Sequence, residues 1–226
     1  MDDQQSSQVV SGYYNVERRE MLRYIPKGAV RFVEIGCGTG AFGSLLRQNI
    51  NNAKVIGIEM HSASALIAKS RLDMVIEEPI EIGLGLLKDN DSDCIICNDV
   101  LEHLVDPWLV LNGLRTKLKK NGLIVASIPN VRYFPVFKDY ILNGNWEYKN
   151  DGVLDRTHLR FFTKSSIKQL FEKAGYRLEK IEGIFSSELT WKMKIINLFS
   201  NNRFKDIGFE RYACVASINE SSIIFP

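Results

Sequence analysis

Three glycines alternate with single residues directly after a short apolar run, in the stretch RFVEIGCGTG at residues 31–40. Glycine adopts backbone conformations that are closed to other residues, and it leaves the neighbouring amide groups uncovered. A strand that ends in such a turn and leads into a helix brings bare N–H groups close to a ligand at the start of that helix. This feature constrains the fold most, because it requires a strand, a turn and a helix in that order.

Strand and helix alternate through most of the chain. Apolar runs bounded by turn residues predict strands, and apolar positions three or four residues apart predict helices. Such alternation is typical of a doubly wound α/β fold, in which a seven-stranded, mostly parallel sheet carries helices on both faces. The predicted strands are 31–35, 53–59, 73–77, 93–98, 123–128, 176–184 and 211–218; the predicted helices are 13–28, 41–49, 62–72, one from the cap Asp106 to a stop at Asn121-Gly122, and one from the cap Thr163 to a stop at Gly175.

Two stretches, 129–162 and 185–210, stand outside this alternation in a chain of 226 residues, a length that suits one domain. The first follows a strand and the second separates the last two strands. Because ligands bind at the carboxyl edge of open α/β sheets, we expect both insertions to form the substrate pocket there. Residues 185–205 also show an amphipathic pattern with lysines, which predicts a lid or a homodimer contact more readily than a helix at a membrane surface.

Charge and composition argue against several classes of function. The net charge is only +2, whereas nucleic-acid binding needs a concentrated basic surface, so no nucleic-acid partner is expected. No apolar run approaches the ~20 residues of a membrane span, and the first ten residues, MDDQQSSQVV, are too polar for a signal peptide. These features predict a cytoplasmic protein.

Four cysteines occur in or beside apolar stretches. Cys94 and Cys97 form a CxxC pair, but they fall on a predicted strand, where residues three apart point to opposite faces. No second pair completes a four-ligand zinc set. We therefore interpret all four as small buried apolar residues in a reducing compartment.

Two acids accompany the glycine turn: Glu34 lies inside the first strand and Glu59 ends the second. The spacing of Gly36, Gly38 and Ala41 also satisfies the dinucleotide fingerprint of dehydrogenases, with an acid near the expected distance. Glu59 can accept hydrogen bonds from both hydroxyls of a ribose, and Glu34 can receive an amino-acid ammonium group, directly or through water. A ligand with both parts is S-adenosylmethionine, which we favour over NAD.

The segments VEIGCGTG, VIGIE and NDVLEHL resemble motifs I, II and IV of class I S-adenosylmethionine-dependent methyltransferases, and the resemblance covers about residues 13–184. It implies a Rossmann-like fold, with S-adenosylmethionine as cofactor and S-adenosylhomocysteine as product. Where the family often has Gly-Asp after its third strand, this chain has Glu78-Pro79, which leaves open whether Glu77, Glu78 or Ile80 meets the adenine. The cofactor residues implied are Glu34, Gly36, Cys37, Gly38, Gly40, Glu59, Met60, Asn98 and Asp99.

Two further segments, YYNVERREMLRYIP upstream and DRTHLRFFT downstream, are similar to a bacterial subgroup that often accompanies glycosyltransferases in surface-polysaccharide or glycolipid synthesis. The resemblance implies O-methylation of a sugar or a glycan-linked acceptor. One alternative is a methyltransferase acting on a phenol, a quinone precursor or an amine. Another is a non-catalytic module that binds the cofactor and regulates a partner.

A sugar hydroxyl is a weak nucleophile at neutral pH, so its methylation requires a general base or a metal. The candidate bases are His158, in the first insertion, and His103, after the fourth strand, although each could instead brace its loop. Asp155 and Arg156 could hold the acceptor or pair with each other, and Tyr133 is a further candidate contact. No set of His, Asp and Glu residues has the sequence spacing of a metal site, which predicts a metal-free mechanism.

Overall fold

A computed structural model describes residues 16–186 and 197–219 of the chain. Seven strands in these residues form one sheet: β1 (Arg31–Ile35), β2 (Lys54–Ile58), β3 (Met74–Ile76), β4 (Ser92–Asn98), β5 (Leu118–Pro129), β6 (Tyr176–Ser186) and β7 (Phe209–Ile218). Their order is β3-β2-β1-β4-β5-β7-β6. All pairs are parallel except those of β7, which runs antiparallel to both β5 and β6. The predicted seven-stranded, mostly parallel α/β fold is confirmed.

Helices connect the parallel strands. The α-helices are α1 (Ala41–Asn49), α2 (Ser62–Ala68), α3 (Ile80–Leu86), α4 (Pro107–Leu114), α5 (Phe134–Asn143) and α6 (Lys164–Lys173), and 3₁₀ helices occupy Arg19–Tyr24 and Leu101–His103. In the described part of the chain, no helix is long and apolar enough to cross a lipid bilayer.

The sheet separates two apolar cores. Along β4, Cys94 and Ile96 belong to one core, whereas Ile95 and Cys97 belong to the other. This alternation follows from the two-residue period of a strand. All four cysteines are free and buried. The expectation that Cys94 and Cys97 point to opposite faces and pack as small apolar side chains is therefore confirmed.

Helix α6 begins where its predicted cap lies. Thr163 Oγ1 accepts a hydrogen bond from the Ser166 amide at 3.2 Å, and Ser166 Oγ accepts one from the Thr163 amide at 2.9 Å. This reciprocal capping satisfies two amide groups that a helix start otherwise leaves without partners. The helix then buries Ile167, Leu170 and Phe171 in the core that contains Cys97.

One predicted helix boundary is wrong. The helix capped by Asp106 ends at Leu114, and β5 already begins at Leu118, so Asn121-Gly122 lies inside a strand. A Cβ atom at Gly122 would lie only 2.9 Å from the backbone oxygen of Ser92. The glycine therefore serves a close approach of two strands, and it does not end a helix.

Three other local predictions need correction. Within the predicted helix 13–28, only a 3₁₀ helix forms, at Arg19–Tyr24; it follows Arg18, whose φ of 49° is left-handed, and residues 13–15 lie outside the described residues. Helix α3 was not predicted, because its seven residues follow directly on the turn at Pro79. Helix α5 was not predicted either; it lies inside the insertion 129–162, and none of its side chains is buried.

The first insertion is anchored at both of its ends. A bridge joins Asn130 to Phe162, and Asn130 Nδ2 donates to the backbone oxygens of Asp206 and Phe209 at 3.0 and 2.9 Å. These bonds attach the insertion 129–162 to the segment before β7. Residues 187–196 of the amphipathic segment predicted at 185–205 lie outside the described residues, and the role of that segment stays a prediction.

Candidate active site

The carboxyl ends of β1, β2 and β4 meet at one edge of the sheet, because β1 lies between the other two strands. The glycine turn follows β1, Glu59 follows β2, and Asp99 follows β4. The fold therefore brings the cofactor residues predicted from three separate segments to a single edge. Ligands bind at this edge in open α/β sheets.

The glycine turn has a backbone that favours glycine at each alternate position. The φ angles of Gly36, Gly38 and Gly40 are 62°, 53° and 74°, all in the left-handed region. A Cβ atom at Gly36 would lie 2.8 Å from Val100 Cγ2, and one at Gly40 would lie 3.0 Å from Leu72 Cγ. Steric contact and backbone conformation thus both exclude side chains here, and the turn presents bare backbone at the start of α1.

Glu59 holds the glycine turn to the end of β2. Its Oε2 accepts a hydrogen bond from the Gly38 amide and its Oε1 accepts one from the His61 amide, each at 2.8 Å. The side chain is buried. A carboxylate has about four lone-pair positions, so these two bonds leave capacity for ribose hydroxyls. Glu59 therefore organises the turn in addition to the ligand contact that the sequence predicted.

The remaining predicted turn residues have different environments. Cys37 is buried, and burial raises the pKa of its thiol far above the usual range. Its backbone N–H donates to the Ile58 oxygen at 3.1 Å. Met60 is 71% exposed at the same edge. Cys37 thus packs the turn from below, whereas Met60 is accessible to a ligand.

Glu34 lies beneath the turn and faces α1. Burial raises its pKa to about 8; a hydrogen bond from the Gly43 amide opposes this shift, and the charge of Glu59 adds to it. A Cβ atom at Gly43 would lie 2.8 Å from Glu34 Oε2, so the absence of a side chain there makes room for the carboxyl group. Oε2 is buried without a hydrogen-bond partner among the described residues. A buried acceptor without a donor is costly, and a ligand ammonium group would satisfy it.

Asn98 and Asp99 differ in how they are satisfied. Both amide atoms of Asn98 are buried and have no partner within the described residues. Asp99, with a left-handed φ of 52°, accepts from Ser127 Oγ at 2.9 Å and from Arg211 Nη1 at 2.6 Å, and it also pairs with Arg18. Neither arginine was predicted from the sequence as a site residue. Their shared partner, Asp99, follows β4 and lies far from both arginines in the sequence, so no local sequence pattern reveals these contacts.

Two imidazoles face each other beside this edge. The ring centroids of His103 and His158 are 4.7 Å apart, in an edge-to-face arrangement. Nδ1 of His103 lies 3.2 Å from the Thr157 oxygen, and Nδ1 of His158 lies 3.0 Å from the Val153 oxygen. A backbone oxygen can only accept, so each Nδ1 carries a hydrogen. In each neutral ring, Nε2 is then the basic atom.

The environment keeps both imidazoles neutral. Burial lowers the pKa of His103 and of His158, although the hydrogen bonds to the backbone oxygens oppose the shift. Each ring is therefore unprotonated at neutral pH and can accept a proton at Nε2. The two candidate bases from the sequence are thus brought together, in the protonation state that a base requires.

Glu102 is the residue of this cluster that the sequence analysis missed. It is fully buried, and its Oε1 lies 3.9 Å from His158 Nε2. Burial raises its pKa to about 8, while the charges of Arg211 and Arg18 oppose the shift. Neither carboxyl oxygen has a hydrogen-bond partner in the described part of the chain. Its place beside His103 in DVLEHL was the available signal.

The ligand atoms of Glu102, His103 and His158 all lie within 4.8 Å of one another. The spacing of these residues in the sequence does not reveal this cluster, because it is the first insertion that brings His158 next to the other two in three dimensions. The group is close enough to share either a cation or a proton. The metal-free mechanism stays a prediction.

The predicted acceptor contacts lie around the same loop. Asp155 is buried, and its Oδ1 accepts from the Thr157 amide at 2.8 Å and from Thr157 Oγ1 at 2.6 Å. Arg156 is exposed, and its amide donates to the Lys149 oxygen at 2.9 Å. Tyr133 immediately precedes α5. Asp155 thus shapes the loop internally, and acceptor contacts by these three residues stay predictions.

Sequence comparison identifies the family. A family model described as a methyltransferase domain matches residues 12–181. An uncharacterized protein of Methanocaldococcus jannaschii is 28% identical over 165 residues, covering 73% of this chain and 72% of the relative. The ubiquinone biosynthesis O-methyltransferase of Aeromonas salmonicida is 22% identical over 173 residues, covering 73% and 70%. The trans-aconitate 2-methyltransferase of Variovorax paradoxus is 28% identical over 121 residues, which cover 53% of this chain and 47% of that protein.

Solved structures share the fold. A SAM-dependent methyltransferase from Archaeoglobus fulgidus superposes with a TM-score of 0.67 at 22% identity, covering 94% of this chain and 97% of that one. The plantazolicin methyltransferase BamL, solved with a triazolic desmethylPZN analog and SAH, has a TM-score of 0.64 at 14% identity and coverages of 95% and 91%. At such identities the likeness concerns the fold alone.

Proposed function

The chain belongs to the methyltransferase domain family and is a S-adenosylmethionine-dependent methyltransferase, and on that premise we propose that it methylates a hydroxyl oxygen of a sugar or a glycan-linked acceptor. S-adenosylmethionine supplies a methyl group that is already activated for displacement. The protein then has to align the acceptor oxygen with that methyl group and to exclude water.

The residues at the sheet edge fit this cofactor. The glycine turn offers backbone N–H groups without side chains over them, and Glu34 Oε2 offers a buried acceptor for an ammonium group. We assign the ribose hydroxyls to Glu59 and the wall beneath the sulfonium to Asn98 and Asp99. The unpartnered amide of Asn98 supports that assignment, because a buried amide without partners is costly unless a ligand satisfies it.

The observation that carries the choice of a hydroxyl acceptor is the basic Nε2 of His158. The Val153 oxygen holds the hydrogen on Nδ1, and burial keeps the ring neutral. An alcohol must lose its proton as the methyl group arrives, and a positioned imidazole accepts that proton. We therefore assign His158 as the base, with His103 as the second candidate.

Glu102 supports this role through its charge state. With a pKa of about 8, its carboxyl group is largely protonated at pH 7. A proton that reaches His158 Nε2 would create an imidazolium 3.9 Å from Glu102 Oε1. That cation would favour ionisation of Glu102, and the Glu102 proton would then pass to solvent, so that the pair as a whole releases the proton of the acceptor hydroxyl.

A second candidate function has its own support. The matched relatives include a ubiquinone biosynthesis O-methyltransferase and a trans-aconitate 2-methyltransferase, so a phenol, a quinone precursor or another small molecule is the alternative acceptor, and an amine belongs to the same alternative. These more acidic or more nucleophilic acceptors need less help from a base. A non-catalytic cofactor-binding regulator would need the glycine turn but not the paired imidazoles.

Two measurements test the proposal in order. Calorimetric titration with S-adenosylhomocysteine and with NAD should show binding of the first only; binding of NAD alone would overturn the cofactor assignment. Methyl transfer is then measured by mass spectrometry with glycosides, catechols and amines as separate acceptor classes. Transfer to glycosides supports the proposal, transfer to catechols or amines alone supports the alternative, and cofactor binding without transfer to any class supports the regulator.

A further inference from the structure

A cleft of about 330 Å³ lies beside the start of α6, and none of its residues belongs to the site described above. It nevertheless opens at the same edge of the sheet, because Arg132 follows the end of β5 and Thr163 follows Phe162, which bridges to Asn130. Its volume is in the range of small-ligand sites, which begin at about 300 Å³. Its polar lining consists of Arg132, Thr163, Lys164, Ser165, Lys168 and Asp206.

The lining carries an excess of positive charge. Arg132 is held in place, since its Nη1 donates to Asp206 at 2.9 Å and its Nη2 donates to the Arg203 oxygen at 2.7 Å. Lys164 forms no ion pair with a carboxylate of the described residues; its Nζ lies over the Tyr212 ring, 5.9 Å from the ring centroid, a contact that leaves its charge in place. Lys168 lies 3.6 Å from Glu172 in an exposed pair, which neutralises little of its charge. Two lysine ammonium groups are thus available to an anion.

The start of α6 adds to this charge. The side chain of Thr163 caps the Ser166 amide, and the Ile167 amide bonds to the Thr163 oxygen. The amides of Lys164 and Ser165 come earlier in the first turn, where a helix supplies no acceptor. These groups and the helix dipole favour an anion at this end of a ten-residue helix.

Asp206 gives the cleft an acceptor as well. The residue is 8% exposed, and its Oδ2 accepts from Arg132. Its Oδ1 is buried and has no donor at hydrogen-bonding geometry among the described residues, although the Tyr212 hydroxyl lies nearby, where burial and the charge of Asp206 raise the pKa of that hydroxyl. A bound hydroxyl group could satisfy that oxygen, whereas a bare anion could not.

We propose that this cleft binds a phosphoryl group, supplied either by a phosphorylated, hydroxyl-bearing acceptor such as a glycosyl phosphate or by free phosphate. The two lysines and the first turn of α6 contact the phosphoryl oxygens, and Asp206 accepts from an adjacent hydroxyl. The assignment of this group to the acceptor rests on the proposed function, whereas the affinity of the cleft for phosphate does not.

The test is a calorimetric titration of the full chain, saturated with S-adenosylhomocysteine, with inorganic phosphate. The cleft variant is Lys164→Gln/Lys168→Gln, and the control is Lys27→Gln/Lys173→Gln, which removes the same charge from exposed positions outside the cleft. We expect phosphate binding to weaken at least tenfold in the cleft variant and to stay within twofold in the control. Equal phosphate affinity in the two variants would overturn the proposal.

Two further titrations identify the source of the phosphoryl group and show whether the variants are folded. Glucose 1-phosphate should bind more tightly than inorganic phosphate if the phosphoryl group belongs to the acceptor, and no more tightly if free phosphate is the ligand. In either case, affinity for the phosphoryl compound must be lower in the cleft variant than in the wild type. Affinity for S-adenosylhomocysteine should stay within twofold in both variants, which shows that they are folded. Failure of cofactor binding in the wild type would instead contradict the proposed function.

Discussion

Replacement of His158 by asparagine separates the two roles that its position allows. Asparagine Nδ2 takes the place of the imidazole Nδ1 and can still donate to the Val153 oxygen, which lies 3.0 Å from that atom in the wild type. Asparagine has no basic atom that corresponds to Nε2. If His158 is the base, we expect turnover to fall by about 10²–10⁴, while affinity for S-adenosylhomocysteine stays within twofold.

The size of the loss in turnover distinguishes a general base from a residue that only holds the loop in position. A loss of about 10²–10⁴ corresponds to about 2.7–5.5 kcal/mol of activation free energy. The alternative substitution, His158→Ala, also leaves the Val153 oxygen without its donor, which costs about 1–3 kcal/mol of stability. If His158 only holds the loop in position, the asparagine variant should keep most of the turnover that the alanine variant loses. If Nε2 is the base, both variants should be equally slow, although the asparagine variant is the more stable.

The assay is single-turnover methyl transfer between pH 5 and pH 9. Burial lowers the pKa of His158 below its ordinary value of 6.5, so the wild-type rate should rise with pH through a pKa below that value and then level. His158→Asn should lack this rise. His103→Asn, measured in parallel, tests the second candidate base, because it likewise keeps a donor toward the Thr157 oxygen. Near-normal turnover with an unchanged pH profile in His158→Asn would refute the assignment.

Four further predictions concern the cofactor side, the insertion and the buried acid. Gly38→Val should abolish binding of S-adenosylhomocysteine in calorimetry without unfolding the protein, because φ at this position is 53° and the backbone must meet the ligand. Glu59→Ala should weaken that binding by about 1.5–3 kcal/mol, the usual loss for a hydrogen bond to a charged group. Deletion of Asn143–Asn150 should spare cofactor affinity and reduce transfer. Glu102→Gln should flatten the pH dependence of the free energy of unfolding. In the folded protein the pKa of Glu102 is about 8, above its ordinary value of 4.5. The contribution of the protonated group to stability, up to about 5 kcal/mol, is therefore complete below about pH 4.5 and is lost as the pH rises through 8.

Each of these expectations has a contrary result. Unchanged affinity in Gly38→Val would remove the turn from the cofactor site, and a loss of only a few tenths of a kcal/mol in Glu59→Ala would point to another ribose ligand. Loss of cofactor binding after the deletion would mean that the insertion closes over the cofactor. For Glu102→Gln, measured by urea unfolding at several pH values, a dependence identical to that of the wild type would show that Glu102 titrates normally.

Local signals predicted the parts of the fold that local interactions determine. The glycine turn, the cap at Thr163 and the two-residue alternation around Cys94 and Cys97 each depend on neighbours in the sequence, and the structure has them as predicted. Gly122 was misread because glycine has two uses. At a helix end it provides a left-handed φ, whereas here it permits close contact with the Ser92 oxygen on β4, which sequence position alone does not reveal.

The chemistry of the candidate site depends on contacts between segments that lie far apart in the chain. The backbone oxygen of Glu102 accepts from the amides of Leu159 and Arg160 at 2.8 and 2.9 Å, and these bonds dock the first insertion onto the 3₁₀ helix after β4. They place the His158 ring beside Glu102 and His103. Because the same docking also buries the three groups, it sets both their distances and their pKa shifts. Sequence reasoning could name the two histidines as candidate bases, whereas the proximity of Glu102 to the His158 ring depends on the docked insertion.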